Sequence, residues 1–435
     1  MKESYYNHTL IHNGTNLMFN SRSGALAVTD ESYTHLLEIL GDIHDITEVP
    51  DNLQDCFNAA KRGIFIVKDD CDELQEIEVR RNVAKYDLTR LDLTIAPTLA
   101  CNFKCKYCYE TPQSGVMTEG IQYSLLKFIE EQASRIKYLH VTWYGGEPLL
   151  AKDVIKRLSD AIISLCNQYD IQYYASIVSN GYLLDEDTIS LLECVSVKQI
   201  QITLDGPRDT HNSRRICKTT TNSFDTIINN INLLLKNDKI QPSIRINVDK
   251  SNSDTVEDLI SYLSSNLINH KIKIYLGKIE AHTDACKSIV SECYNSEDFA
   301  DIVLNYGDLL SKYGFNESNK IPYPRTRLNY CPAEVLNAFV IDPKGYMYKC
   351  WNEVGDIQVS VGNINNGFSE ILNSKNAAYV NRSVLNDLEC RECKVLPLCM
   401  GGCPQSNKHT NVGHSCDQVK YMIQGVMKKY LENSR

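Results

Sequence analysis

The sequence predicts an α/β chain: a partial (β/α)6 barrel, preceded by a small α+β, winged-helix-like module and followed by a cysteine-rich C-terminal domain. Three observations carry this. Six short apolar strands alternate with helical stretches between residues 91 and 277. Residues 1–80 read instead as a hairpin followed by short helices. Of the 17 cysteines, three fall at 101–108 and seven at 331–416.

In residues 1–80, TNLMFNSRSGALAVT reads as a hairpin around Ser23-Gly24, with Leu17, Phe19, Leu26 and Val28 as apolar positions. Asp30 can cap a helix that carries Tyr33, Leu36, Leu37 and Leu40 at i, i+3, i+4, i+7. A second short helix covers Leu53 to Lys61, Gly63 ends it, and IFIV is a strand. DDCDELQEIEVRRNVAKYD then reads as a charged connector.

The barrel is expected over residues 90–286. Its strands are LDLTI, LHVTW, YASIV, QIQITL, SIRINV and IKIYLG. Ile121, Leu125, Phe128, Ile129 and Ile136 mark one helix face, and further helices fall around 151–168, 185–193, 223–236 and 255–265. Such alternation gives a parallel sheet with helical crossovers, and six units are too few to close an eight-stranded barrel. Residues 287–330 read as a mostly helical bridge. Residues 331–435, with turns at DPKG and MGGCP, form a domain whose order depends on metal.

A hydrophobic content of 43% and a charged content of 23% are ordinary for a globular protein. The net charge of -10 argues against nucleic acid as a partner and reads as a solubility feature. No apolar run approaches the roughly 18 residues of a spanning helix, so no membrane association is expected. MKESYYNHTLIHNG resembles neither a signal nor a transit peptide, and a cytoplasmic location is expected. In a reducing compartment, clustered cysteines bind metal more often than they pair. The scattered Cys56, Cys71, Cys166, Cys194, Cys217, Cys286 and Cys293 read as small buried hydrophobes.

CNFKCKYCYE places Cys101, Cys105 and Cys108 at C-x3-C-x2-C spacing. Thiolates suit zinc or iron–sulfur clusters. A structural zinc site usually offers paired C-x2-C elements and a nearby fourth Cys or His, and neither is present. A four-iron cluster on three thiolates leaves one iron open, and S-adenosylmethionine can chelate it through its amino and carboxylate groups.

Tyr107 precedes the last of these cysteines, and Gly145, Gly146, Glu147 and Pro148 follow the next strand as GGEP. With these two motifs in order, the sequence resembles the radical S-adenosylmethionine (SAM) enzymes, whose methionine-binding loop lies at that place. SNG (residues 179–181), TLDGPRDTHNSRR (203–215) and IRINVDKSN (244–252) match further segments of the family. The resemblance implies a [4Fe–4S] cluster on Cys101, Cys105 and Cys108. It implies a SAM site formed by Tyr107, the GGEP loop, Ser179, Asn180, Thr203 and Arg215, with Ser179, Thr203 and Arg215 on the ribose or carboxylate. It also implies reductive cleavage of SAM to a 5'-deoxyadenosyl radical that abstracts hydrogen. Ordinary readings stand beside these: Ser-Asn-Gly and Asp205-Gly206-Pro207 are good turns, and Arg215 can be a surface arginine.

Cys331-x13-Gly345-x4-Cys350, then Cys390, Cys393, Cys399 and Cys403 at C-x2-C-x5-C-x3-C spacing, then Cys416, resemble the SPASM extension. This implies two auxiliary [4Fe–4S] clusters, an outer one on Cys390, Cys393, Cys399 and Cys416 and an inner one on Cys331, Cys350 and Cys403. A zinc ribbon shares the shorter spacings. The best-known inner clusters have a further cysteine shortly before the first, and IPYPRTRLNY has none. The inner cluster then has an open iron, or a distant ligand such as Cys286 or Cys293.

SPASM enzymes mostly modify peptides or proteins. Sulfatase-maturating members carry an acid directly after the cysteine at position 350, where this chain has Trp351. The other large branch crosslinks ribosomally made precursor peptides through thioether, ether or C–C bonds. Its members often carry an N-terminal leader-binding module with a plan like residues 1–80, although such a module can also merely brace the barrel. The resemblance thus implies a peptide maturase with a leader-bearing precursor and a flavodoxin- or ferredoxin-like electron donor. An anaerobic sulfatase-maturating, formylglycine-forming enzyme is the alternative. A non-enzymatic iron–sulfur carrier or zinc scaffold is a second, disfavoured because neither needs the GGEP loop. The sequence singles out no catalytic acid or base.

Overall fold

The computed structural model describes residues 1–315, 323–367, 372–407 and 414–433. The amino-terminal module starts with the short β1 (Lys2–Glu3). An antiparallel sheet follows, with β2 (Asn7–His12), β3 (Thr15–Asn20) and β4 (Leu26–Thr29) in that order. Gly24, at φ 76°, turns the chain into β4, a conformation that favours glycine. Asp30 caps α1 (Glu31–Ile39) by accepting from the Tyr33 N–H. After α2 (Gln54–Arg62), β5 (Ile66–Val67) pairs with β1.

Strand alternation divides β3 between two cores. Met18 packs with Leu36, Leu40 and Phe57 of the module. Leu17 and Phe19 point the other way, onto Leu398, Val419, Ile423 and Met427 of the C-terminal domain. Each such buried side chain contributes roughly 1.5–3 kcal/mol. Val28, one of the apolar positions of the hairpin, is exposed on β4.

The charged stretch after residue 68 is no loose connector. Glu73–Lys85 form α3, capped by Asp72. Its buried face carries cations: Arg81 and Lys85 are each 2% exposed. Arg81 donates to Glu334 (2.7 Å) and to the Arg382 carbonyl (3.0 Å). Lys85 donates to the carbonyls of Val380 (2.5 Å) and Arg382 (2.7 Å). Buried charges persist only when paired in this way, and α3 bolts the module to the C-terminal domain.

The barrel runs through β6 (Arg90–Ile95), β7 (Phe103–Cys105), α4 (Glu119–Glu130), β8 (Tyr138–Trp143), α5 (Lys152–Gln168), β9 (Gln172–Ser179) and α6 (Glu186–Cys194). It continues with β10 (Val197–Thr203), α7 (Arg208–Arg214), β11 (Arg215–Cys217), α8 (Phe224–Leu234), β12 (Gln241–Val248), α9 (Val256–Asn266) and β13 (Lys273–Lys278). The six expected strands are β6, β8, β9, β10, β12 and β13, and all neighbouring pairs are parallel. Leu91, Leu93, Ile95, Val141, Trp143 and Ile177 pack in the main core. The alternate residues, among them Thr94, Thr142 and Ser176, are only half-buried.

After α10 (Ser296–Lys312), residues 316–322 of the expected bridge lie outside the described residues. The C-terminal domain comprises β14 (Ala338–Ile341), β15 (Tyr346–Tyr348), β16 (Gly362–Asn363), α11 (Ser374–Val380), α12 (Leu388–Arg391), α13 (Leu396–Cys399), α14 (Pro404–Asn407) and α15 (Val419–Asn433). Strand β14 pairs parallel with β6, and β15 and β16 follow antiparallel. Among the described residues the sheet has nine strands, ordered β13-β12-β10-β9-β8-β6-β14-β15-β16. The C-terminal domain is thus hydrogen-bonded into the barrel edge. Among the described residues, no helix is long and apolar enough to cross a membrane.

Candidate functional site

A cavity of about 390 Å³ opens at the carboxyl ends of the barrel strands, a volume typical of ligand sites (~300–1,000 Å³). Cys101, Cys105 and Cys108 line it together, as do Tyr107, Gly145, Gly146, Ser179, Asn180, Thr203 and Arg215. The cysteine loop is held on both sides. The short pair β7–β11 sets Cys105 opposite Arg215. Lys218 donates to the Cys101 carbonyl (2.7 Å), and Asn180 donates to Asn102 (2.7 Å).

The glycines are needed for close approach. A Cβ on Gly145, at φ 109°, would sit 2.4 Å from the Thr98 carbonyl oxygen, and one on Gly146 would sit 2.3 Å from that of Ala100. The Glu147 N–H donates to the Ala100 carbonyl (2.9 Å), tying this loop to the start of the cysteine loop. The Glu147 side chain points away from the cavity. It accepts from Ser179 Oγ (2.9 Å) and from the N–H groups of Asn180 (2.8 Å) and Leu149 (3.1 Å). It therefore shapes the Ser-Asn-Gly turn, and Pro148 starts the helical turn Pro148–Ala151 behind the loop.

Tyr107 is the hub of a buried polar network. Its hydroxyl donates to Asp205 and accepts from Arg215 (2.6 Å) and Asn247 (3.1 Å). Arg215 is buried, not a surface residue. Arg214 makes a two-point ion pair with Asp249 (3.0 and 2.7 Å) and lies 5.5 Å from the Tyr107 ring centre. Asp205, read from the sequence as part of a turn, and Asn247, inside the segment 244–252, thus join the site through the Tyr107 hydroxyl. At the end of β13, Glu280 pairs with Lys278 (3.0 Å) and His282 (3.3 Å), and all three line the cavity. Against the upward push of burial, these partners hold the Glu280 carboxyl down to about 2. Glu110 also lines the cavity, and burial pushes its carboxyl up to about 7.

The C-terminal domain brings Cys350, Trp351 and Asn352 into the same cavity. Trp351 meets Tyr144 edge-on, with ring centres 4.2 Å apart. Cys331, Cys350 and Cys403 lie close enough for their charges to act on one another. Cys390, Cys393, Cys399 and Cys416 line a separate small cavity of about 20 Å³, where Lys420 donates to Cys416 Sγ (3.3 Å). His414, on its rim, pairs with Asp387 (2.7 Å). Cys286 packs with Ile279 and Ile289 beside Tyr107 and Tyr109, and Cys293 packs against the same group.

The donor sets fit iron–sulfur clusters. Burial pushes the thiols of Cys101, Cys108, Cys331, Cys350 and Cys390 up to about 12. Such thiols become thiolates beside a metal charge, and all-sulfur donors select soft or borderline metals.

Residues 95–263 match the radical SAM superfamily, and residues 331–394 match SPASM, an iron–sulfur cluster-binding domain. The chain thus carries a radical SAM domain followed by a SPASM domain, for which [4Fe–4S] clusters and SAM are the implied cofactors. A cysteine-type anaerobic sulfatase-maturating enzyme of Clostridium novyi (strain NT) is 24% identical over 350 residues, 74% of this chain and 89% of that one. The radical SAM cyclopropyl synthase TigE of Paramaledivibacter caminithermalis is 22% identical over 467 residues, 95% of this chain and 92% of that one. Streptococcus suis SuiB shares the fold. Its SAM-bound structure covers 96% of this chain and 99% of its own at TM-score 0.56 and 14% identity. Its complex with the precursor peptide SuiA covers 95% and 98% at TM-score 0.54 and 15% identity.

Proposed function

We propose that this enzyme is a peptide maturase that forms a crosslink in a ribosomally made precursor peptide. The observation that carries the reading is the shared cavity: Cys350 and Trp351 face the same space as Cys101, Cys105 and Cys108. When bound, the first cluster and SAM supply a 5'-deoxyadenosyl radical that abstracts hydrogen from an unactivated C–H bond. Cys101, Cys105 and Cys108 would hold that cluster, and the Gly145–Gly146 backbone, Ser179, Asn180, Thr203 and Arg215 would seat SAM. Tyr107, fixed by Asp205, Arg215 and Asn247, walls the site. Trp351 and Tyr144 wall it on the side of the C-terminal domain. Cys331, Cys350 and Cys403 would hold the inner auxiliary cluster beside the substrate, and the other four the outer cluster, open to a flavodoxin- or ferredoxin-like donor.

Trp351 stands where the sulfatase-maturating branch has an acid, which favours crosslinking over formylglycine formation. The N-terminal module supports the same reading, because TigE and SuiB align with this chain over almost its whole length. Among the described residues, β4 pairs only with β3, so its other edge can accept an extended leader as an added strand.

The test is turnover by the anaerobically reconstituted enzyme of precursor peptides encoded in short reading frames beside its gene. A product lighter by two hydrogens, with fragmentation blocked between two residues, is expected. Conversion of a sulfatase Cys or Ser peptide to the aldehyde, with no crosslink, contradicts the proposal.

A further inference from the structure

The cavity holds one acid whose partner is missing. Glu110 is 8% exposed, and neither carboxyl oxygen has a hydrogen-bond partner among the described residues. The cavity's other partly buried acid, Glu280, is already paired with Lys278 and His282. The backbone around Glu110 is pinned on both sides. Thr283 Oγ1 donates to the Tyr109 carbonyl (3.1 Å), the Gln113 N–H donates to the Leu99 carbonyl (3.3 Å), and Lys344 donates to Gln113 Oε1 (3.1 Å). These contacts fix the segment that carries Glu110.

A carboxylate kept out of water this completely is strongly unfavourable unless a donor-rich cation meets it. Two oxygens of one carboxylate, both free, suit an ammonium or the paired N–H groups of a guanidinium. The residues that would seat SAM lie on the glycine loop and the ends of β9, β10 and β11. Glu110 lies on the segment leading from the cysteine loop toward Lys344 of the C-terminal domain, in the cavity it shares with Trp351 and Asn352.

We propose that Glu110 is the recognition group for a basic side chain, lysine or arginine, of the peptide substrate. This inference rests on the peptide-maturase reading above.

The experiment pans anaerobically reconstituted, SAM-loaded enzyme against a randomised decapeptide library. The wild type should enrich Lys or Arg at one position. Glu110→Gln should lose that enrichment at least tenfold, and Glu110→Lys should replace it with Asp or Glu. Equal basic preference in the wild type and Glu110→Gln overturns the proposal. So does wild-type enrichment without basic residues, which marks a merely solvated carboxyl and leaves the peptide reading standing. A library with no wild-type enrichment at all counts against the peptide reading itself. Equilibrium dialysis of SAM runs alongside, and a tenfold loss of SAM affinity in Glu110→Gln assigns the residue to the cosubstrate and overturns the proposal. Should Glu110→Gln fail to retain iron, Glu110→Asp decides, because it keeps the charge and must keep the basic preference.

Discussion

Tyr107 shows how one residue can organise the site. Its hydroxyl carries three hydrogen bonds, and Asp205, fully buried, depends on it for one of its own. Leaving a buried polar group short of a partner costs about 1–3 kcal/mol. Tyr107→Phe should therefore keep its iron but bind SAM about tenfold more weakly, which is about 1.4 kcal/mol, as read by equilibrium dialysis. Lys85 supports a second prediction. Its ammonium is buried, and burial first, then Arg81, brings its pKa down to about 8. An unfolded lysine titrates near ~10.4. Between these values the unfolded chain binds more protons than the folded one, so Lys85 adds to stability as pH rises through the window and has no pH effect below it. The denaturation midpoint of the wild type should thus gain on that of Lys85→Met between pH 8 and 10, and parallel curves would contradict this.

At the scale of elements, the two glycines and the edge strand are the sensitive points. Gly146→Ala drives a Cβ into the Ala100 carbonyl, backbone that cannot yield without moving Cys101. This variant should lose SAM binding and one cluster's iron while the C-terminal clusters persist, as seen by iron analysis and Mössbauer spectroscopy. Strand β14 caps the open edge of β6. A chain ending at residue 330 would expose that edge, and unpaired edges recruit other chains. Size-exclusion chromatography should show aggregates rather than a stable barrel. The barrel strands were legible because each is a short apolar run bounded by turns, and the cysteines because thiolate spacing is specific. Strand β2 was not legible, because NHTLIH alternates weakly. Helix α3 was missed because its buried face, Glu73, Ile77, Arg81 and Lys85, is mostly charged, and no hydrophobic pattern marks a face buried through ion pairs and bonds to carbonyls. Glu110 closes CNFKCKYCYE, yet no sequence pattern marks it, since only burial reveals a carboxyl without a partner.

For the whole molecule, the three domains form one connected body. The module's sheet packs on α15, α3 reaches Glu334, and β14 extends the barrel sheet. Removal of residues 1–80 would strip Leu17 and Phe19 from the C-terminal core, so truncation alone does not separate bracing from leader binding. The parallel strands gather the clustered cysteines of the barrel at one end, and the C-terminal domain delivers Cys350 to the same cavity. The central claim is that Cys101, Cys105 and Cys108 hold the cluster that cleaves SAM. The most direct measurement is 5'-deoxyadenosine formed by reduced, reconstituted enzyme in which all three are replaced by alanine. The account predicts that its formation is abolished while iron falls by about one four-iron cluster and the auxiliary clusters remain. Formation at the wild-type rate would contradict it.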